Sequence, residues 1–356
     1  MNLRNVKAIT QGEPAEAMPA SGTARQGVEL GGRWRLESAL GFGGMGEVWR
    51  ARHNVLGRQA AVKLLTSPSA ANRARILREA QILASLRHDA IVEVFDIGEH
   101  EGTPYFVMDW IDGETLAHTV ERAGPLTGRE AARAFVPLLD GLAVAHGAGI
   151  VHRDVKPDNV LIVSRSDGTL RLVLIDFGIA QLGGRDSKLT ATGALVGTPE
   201  YMAPEVLRGA EADERADVWG AAATLYEAIS GTSPFRRDDF VATVRAVTED
   251  APRPLPGGAP AALRAIVERG LEKVPTKRFS SAYAMRDALE EWLSGSATPH
   301  ERSTARTQPA QPDFQSHQPP IGSPTRPSAT RPAEGSSPSV PPSSLEALIR
   351  EKFGKR

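Results

Sequence analysis

The chain of 356 residues contains no cysteine. This excludes disulfides, thiolate nucleophiles and Cys-ligated zinc. It also suits a reducing interior without requiring one. Long apolar runs are missing as well: no stretch approaches the roughly 18 apolar residues of a membrane-spanning helix. The opening MNLRNVKAITQGEPAEAM lacks the apolar segment of a secretory signal. The expected location is the cytoplasm, with no membrane span. Charge of either sign is not in excess, since the formal net charge is −1. That balance argues against wholesale nucleic-acid binding, which favours a basic surface. None of the eight histidines forms an H-E-x-x-H pair, so the helix-borne zinc site of metalloproteases is excluded. An apolar content of 41% supports a genuine core, in one large or two ordinary domains.

Composition and periodicity divide the chain. Residues 1–30 read as a flexible leader. From about Trp34 to Met108 the pattern favours strands, with short runs around Leu36, Val48, Ala60-Ala61-Val62, Ile91-Val92 and Phe106-Val107-Met108 bounded by Gly, Asp or Asn. One helical pattern, Ala74–Leu86, interrupts them. From about Leu116 to Leu293 the spacing is mostly helical, as in Ala131–Ala145, Asp217–Ile229, Ala262–Leu271 and Ala282–Leu293. The expectation is a small strand-rich lobe followed by a larger helical lobe, with a ligand cleft between them. Eleven of the 26 prolines lie between Pro299 and Pro342. The large apolar side chains of that stretch, Phe314, Ile321 and Val340, offset only a small fraction of its ordering entropy, so 295–342 reads as a disordered Pro/Ser-rich tail. Ser343-Ser344-Leu345-Glu346 resembles a capping box, and Leu345, Leu348, Ile349 and Phe353 share one helical face. Residues 343–356 are therefore either a frayed terminal helix or a docking peptide for a partner protein.

The chemistry is concentrated in His152-Arg153-Asp154-Val155-Lys156-Pro157-Asp158-Asn159 and Asp176-Phe177-Gly178. These supply a candidate base, a phosphate-directed cation and two Mg²⁺ ligands. Moving a γ-phosphoryl group demands positioning and charge neutralisation rather than covalent help, and those residue types meet those needs. Upstream, Leu40-Gly41-Phe42-Gly43-Gly44-Met45-Gly46-Glu47-Val48 is a glycine-rich loop whose backbone N–H groups can approach phosphate oxygens. A G-x-G-x-x-G alone is weak. Here it runs into the strand-like Val48-Trp49-Arg50-Ala51 instead of a helix, and Lys63 follows in Ala60-Ala61-Val62-Lys63. That order departs from the dinucleotide fingerprint and fits the strand–loop–strand cover with a strand lysine. An ammonium in an apolar strand needs a counter-charge, and Glu79 on the helical stretch is the expected partner.

Taken with Ala203-Pro204-Glu205, this ordered set resembles a eukaryotic-type (Hanks-type) protein kinase domain. The wording Gly-Phe-Gly-Gly-Met-Gly-Glu-Val and Gly197-Thr198-Pro199-Glu200-Tyr201-Met202-Ala203-Pro204-Glu205 is similar to the bacterial serine/threonine branch. The likeness covers about residues 34–293. It implies an α+β, bilobal fold over 31–294, with an N-lobe at 31–108, a hinge at 109–112 and a C-lobe at 113–294.

The resemblance also implies roles. ATP is the phosphoryl donor, with Mg²⁺ as cofactor and Mn²⁺ as its substitute. Asp154 accepts or orients the substrate hydroxyl proton, Asn159 and Asp176 hold the metal, and Lys156 meets the γ-phosphate. Lys63, held by Glu79, contacts the α/β-phosphates. Leu40, Val48, Ala61 and Leu161 sandwich adenine. The backbone of Asp109 to Ile111 bonds its edge, with Met108 behind. His152 is a packing residue beneath Phe177, with Leu83 and Val94 completing the stack. Glu205 pairs with Arg278 as a structural tie, and Asp217 anchors the catalytic-loop backbone. Thr198 touches Asp154 and Lys156. Lys156 and Thr198 resemble the serine/threonine-directed arrangement, so the partners are protein substrates with Ser/Thr acceptors. Arg153 is positioned to meet a phosphorylated loop, and Thr190 and Thr192 sit where bacterial relatives autophosphorylate. Two competing readings are a catalytically inactive kinase-fold scaffold or adaptor and a small-molecule kinase. Inactive relatives usually lack the lysine, the base or a metal ligand, and all are present here. The intact activation segment through Ala203-Pro204-Glu205 sets small-molecule kinases apart.

Overall fold

The computed structural model describes residues 26–43, 46–65, 70–177, 198–256 and 258–295. Its first part is a six-stranded antiparallel sheet built from β1 (Glu29–Leu30), β2 (Trp34–Gly43), β3 (Gly46–His53), β4 (Gln59–Leu65), β5 (Val94–His100) and β6 (Thr103–Asp109), in the order β1-β2-β3-β4-β6-β5. Both faces of β4 are covered, which explains why Ala60-Ala61-Val62 and Leu64-Leu65 are apolar on both sides of the strand, with Lys63 between them. Ala60, Val62 and Leu64 join Leu30, Trp34, Leu36, Trp49, Tyr105 and Val107 in one small core. Ala61 and Leu65 face the other way, into the large core with Phe106, Met108 and helix α1 (Ala70–Ser85). The two-residue alternation of a strand therefore puts Lys63 on the α1 side of the sheet. Ile76, Ala80 and Leu83, spaced by three and four residues, are the buried stripe of α1.

The rest is mainly helical: α2 (Leu116–Ala123), α3 (Gly128–Gly147), the short α4 (Pro204–Leu207), α5 (Glu214–Ser230), α6 (Phe240–Thr248), α7 (Ala261–Gly270) and α8 (Ala282–Gly295). Helix α3 begins at a capping box, Thr127 with Glu130. The Thr127 hydroxyl and backbone N–H donate to the Glu130 carboxylate and hold its pKa below the ordinary value. Helix α5 is buried from Ala216 to Ile229, so it carries no polar face and acts as the axle of this part of the molecule. It starts at Asp213, whose side chain accepts from the Arg215 N–H, and stops at Gly231 in the left-handed conformation.

Three sequence expectations are corrected. Residues 1–30 are not leader throughout, because Glu29–Leu30 pairs with β2 and Leu30 is fully buried. Ile91-Val92 is not a strand, and Ile91 makes a single parallel bridge to Leu174. The helical part also contains a three-stranded sheet of β7 (Glu114–Thr115), β8 (Val160–Ser164) and β9 (Leu170–Leu174). Its segments VLIVS and LRLVL are short apolar runs that periodicity cannot separate from helix. Helices α2 and α6 fall within the stretch whose spacing reads as mostly helical. The tail, the terminal helix and residues 1–25 lie outside the described residues.

Gly46 pairs with Leu65 across the sheet and has φ 135°. A Cβ there would collide with the Leu64 carbonyl oxygen, a backbone atom that cannot swing away. Gly46→Ala is expected to destabilise the fold by about 1–3 kcal/mol, read as a lower denaturation midpoint. A midpoint equal to wild type would mean the hairpin re-registers without cost.

Candidate active site

The β8–β9 hairpin assembles the centre of the site. Its register places Val160 opposite Leu174, so Asn159, just before β8, meets the residues just after β9. Ile175 N–H donates to Asn159 O at 2.9 Å, and Asp176 follows. On the other side of Asn159 lies Asp154. Asn159 Nδ2 donates to the Asp154 backbone carbonyl and to Oδ2, both at 2.8 Å. Lys156 Nζ lies 2.9 Å from the same Oδ2. One carboxylate oxygen thus gathers a cation and an amide donor, while the amide nitrogen of Asn159 is committed and its Oδ1 is turned away from Asp154.

The loop carrying Asp154 is held from beneath. Asp217, buried near the start of α5, accepts from the backbone N–H groups of His152 (2.7 Å) and Arg153 (2.8 Å). Its Oδ2 also accepts from His146 Nε2 at 2.7 Å. Arg153 has φ 68° and Asp176 φ 58°. Left-handed backbone at non-glycine residues costs free energy and persists where the surroundings over-determine it, and here the Asp217 carboxylate does so for Arg153. Helix α5 comes close enough that a Cβ on Gly220 would lie 2.8 Å from the Val155 carbonyl oxygen.

His152 is fully buried. Its Nε2–H donates to the Ile175 carbonyl at 3.1 Å, and its Nδ1 accepts from Asp154 N–H at 3.3 Å. Burial pushes its pKa down, so the ring stays neutral. Both nitrogens are used internally, and the ring contacts Phe177 at a 4.4 Å centroid distance. Phe177 in turn lines a small apolar cavity with Leu83, Val94, Phe106, Met108 and Lys63.

Lys63 Nζ lies 2.9 Å from Asp176 Oδ1. This differs from the expectation, which gave Lys63 to Glu79. Glu79 Oε2 instead lies 3.8 Å from Arg153 NH1, so the helix glutamate reaches the catalytic loop. The left-handed turn at Asp176 is what presents its carboxylate to the lysine. Thr198 also differs: its side chain makes no hydrogen bond to Asp154 or Lys156 among the described residues. It leads in extended conformation into the 3-10 turn Pro199–Tyr201.

The remaining site residues are placed around this centre. Gly41 pairs with Val48 and Phe42 with Glu47 across the β2–β3 hairpin, and the Phe42 ring is exposed. Leu40 and Val48 are half-buried, while Ala61, Met108 and Leu161 are buried. Asp109 N–H is already committed to Glu93 O at 2.9 Å. Gly44, Met45, Gly178, Thr190 and Thr192 lie outside the described residues. Arg278 donates to both Glu205 oxygens, at 2.7 and 2.6 Å.

Two features have members outside every motif in the sequence: His146, Glu227 and Arg236. One is His146 behind Asp217. The other is a cluster in which Tyr201 OH donates to Glu227 while Arg236 grips Glu200 with two nitrogens. Burial raises the pKa of both Tyr201 and Glu227. The available signal is a glutamate, Glu227, inside the otherwise largely apolar α5.

The model for the protein kinase domain matches residues 34–292. The chain is 38% identical over 288 residues to serine/threonine-protein kinase PknA of Mycobacterium tuberculosis, covering 79% of this chain and 66% of that one. It is 38% identical over 277 residues to the probable serine/threonine-protein kinase SCO3848 of Streptomyces coelicolor, with 75% of this chain and 41% of the relative covered. With serine/threonine-protein kinase PknB of M. tuberculosis it shares 38% over 271 residues, 73% of this chain and 43% of the relative. The chain thus spans less than two thirds of the length of these relatives. Among solved structures, Rad53 1-466 in complex with AMP-PNP is similar in fold, with a TM-score of 0.62 and 24% identity over 72% of this chain and 64% of that one.

Proposed function

The chain belongs to the protein kinase domain family, and on that premise we propose that it is a serine/threonine protein kinase. It transfers the γ-phosphoryl group of ATP to Ser and Thr hydroxyls of proteins, its own activation loop included. The observation that carries this reading is the convergence of Lys156 and Asn159 on one oxygen of Asp154, with Asp176 brought alongside by the β8–β9 register. A carboxylate is a weak base toward a hydroxyl proton. Asp154 therefore acts chiefly by orienting the substrate hydroxyl and accepting its proton as the bond to phosphorus forms.

The donor set suits Mg²⁺, since Asp176 offers a carboxylate and Asn159 a carboxamide oxygen not used by Asp154. Hard oxygen donors match this ion, which is usually completed by nucleotide phosphates and water. When bound, the ion neutralises charge on the phosphate oxygens. Lys63 then steadies the α/β-phosphates, and Lys156 meets the γ-phosphate. Leu40, Val48, Ala61 and Leu161 enclose adenine, with its edge against the backbone of Asp109 to Ile111. The Asp109 N–H is already taken, so its carbonyl and the groups of Ile111 are the ones available.

Intact masses before and after incubation with Mg²⁺ and ATP test this, beside Lys63→Met. Added phosphoryl groups in the wild type alone, mapping to Thr190 or Thr192, are the expected result. ATP binding without any gain on the chain or on a generic protein substrate would favour the scaffold reading.

A further inference from the structure

Residues 109–111, assigned above to the edge of adenine, are gripped from outside by two arginines that belong to no motif. Arg58 stands just before β4. Its NH2 donates to Asp109 Oδ1 at 2.5 Å. Its guanidinium lies over the Phe95 ring, 4.3 Å from the centroid, and a planar fork stacked on a ring is already oriented for the carboxylate it meets. The Asp109 backbone is fixed as well, through its N–H bond to Glu93 O and its pairing with Ala60. Asp109 is thus tied by both side chain and backbone.

Arg50 meets the next residue. Trp49 and Ala51 turn into the small core, so Val48 and Arg50 share the opposite face of β3. Arg50 pairs with Ala61 across the strands. Val48 and Ala61 are two of the residues that enclose adenine in the reading above, and Arg50 continues the same face. Its Cζ sits 5.3 Å from the centroid of the Trp110 ring, and its Nε lies 3.2 Å from Glu37 Oε2 on β2. The guanidinium therefore joins the sheet above the base to the segment at its edge. Contacts of this kind at partly exposed sites are individually weak. They matter here because the backbone they steady carries the groups offered to the base, and a partner already in place saves the cost of ordering it on binding.

We propose that Arg50 and Arg58 are positioning residues for nucleotide binding, which hold residues 109–111 at the angle from which their backbone meets the base. The inference rests on the adenine site of the proposed function and names what sets its geometry. Lys63, Lys156 and Asp176, which serve the phosphates and the metal in that reading, make their contacts with one another and with Asp154, not with this clamp. Loosening it therefore weakens the base side of the nucleotide and spares the phosphate side.

The test is calorimetry on the full chain with two ligands. Adenosine presents the base without phosphates, and inorganic tripolyphosphate with Mg²⁺ presents phosphates without the base. Arg50→Gln and Arg58→Gln are each expected to weaken adenosine binding roughly threefold, and the double variant roughly tenfold, the scale of two exposed contacts. Tripolyphosphate affinity should stay within about twofold of wild type. Arg58→Lys should recover most of the Arg58→Gln loss, because it restores a cation opposite Asp109. Unchanged adenosine affinity in the double variant would overturn the proposal. So would an equal loss for tripolyphosphate, which marks a general loosening of the fold. No recovery in Arg58→Lys would overturn the part given to the ion pair with Asp109. If the double variant does not fold, the single variants decide by the same criterion. A wild type that binds neither adenosine nor ATP would overturn the adenine site and this proposal with it, whereas wild-type binding that the variants leave untouched overturns this proposal alone.

Discussion

Replacing Asp154 by Asn is expected to lower phosphoryl-transfer turnover by roughly 10²–10⁴-fold, the usual worth of a positioned proton acceptor. Nucleotide affinity and folding stability should stay close to wild type. The substitution keeps the shape of the side chain. The carboxamide oxygen of the replacement can still accept from Lys156 and Asn159, which both meet Oδ2 of Asp154. What the variant loses is the negative charge and the second acceptor, because an amide nitrogen takes the place of the other oxygen. That nitrogen cannot receive a proton from a substrate hydroxyl. Single-turnover phosphorylation of a peptide at saturating ATP reads the loss directly. Turnover within a few-fold of wild type would remove Asp154 from the reaction. His152 could not then replace it, since both its ring nitrogens are bonded internally and it is fully buried.

The legibility of this site follows from how its residues are carried. Asp154, Lys156 and Asn159 lie within six positions, and their contacts are local, so a motif is enough to bring them together. Asp176 is identifiable because a hairpin of fixed register joins it to Asn159. Alternation alone places Lys63 on the inner face of its strand, but it does not choose the partner. Glu79 and Asp176 are both carboxylates within plausible reach, and the choice depends on backbone angles at Asp176 and on Arg153 competing for Glu79. His146 is hidden for a similar reason. It is one histidine at the end of an amphipathic helix, and its meaning comes from Asp217, 71 residues later. The strands β8 and β9 escape a sequence reading because short apolar runs carry no period, although their register brings Asn159 and Asp176 together.

The largest stability effect is expected at Arg278. Its side chain is fully buried against a partly exposed Glu205. The guanidinium has five N–H donors, and all are used: two on Glu205, and one each on the carbonyls of Glu272 (2.7 Å), Arg215 (3.0 Å) and Lys273 (3.4 Å). Its face lies 5.0 Å from the Trp219 ring, which stacks on Phe235. Removing one partner of a buried ion pair costs more than the pair contributes, because the other charge stays behind. Arg278→Ala is therefore expected to lower unfolding free energy by about 3–5 kcal/mol. Arg278→Lys should recover only part of this. An ammonium cannot span both Glu205 oxygens and three carbonyls, and neighbouring Lys273 shows how the environment treats one, since burial pushes its pKa down to about 7. Glu205→Gln should cost less than Arg278→Ala, because it keeps one acceptor and leaves a cation with three carbonyl partners. Urea unfolding of the three variants ranks these losses. An Arg278→Ala cost below about 1 kcal/mol, the range of exposed ion pairs, would mean that this contact does not tie α4 to the start of α5.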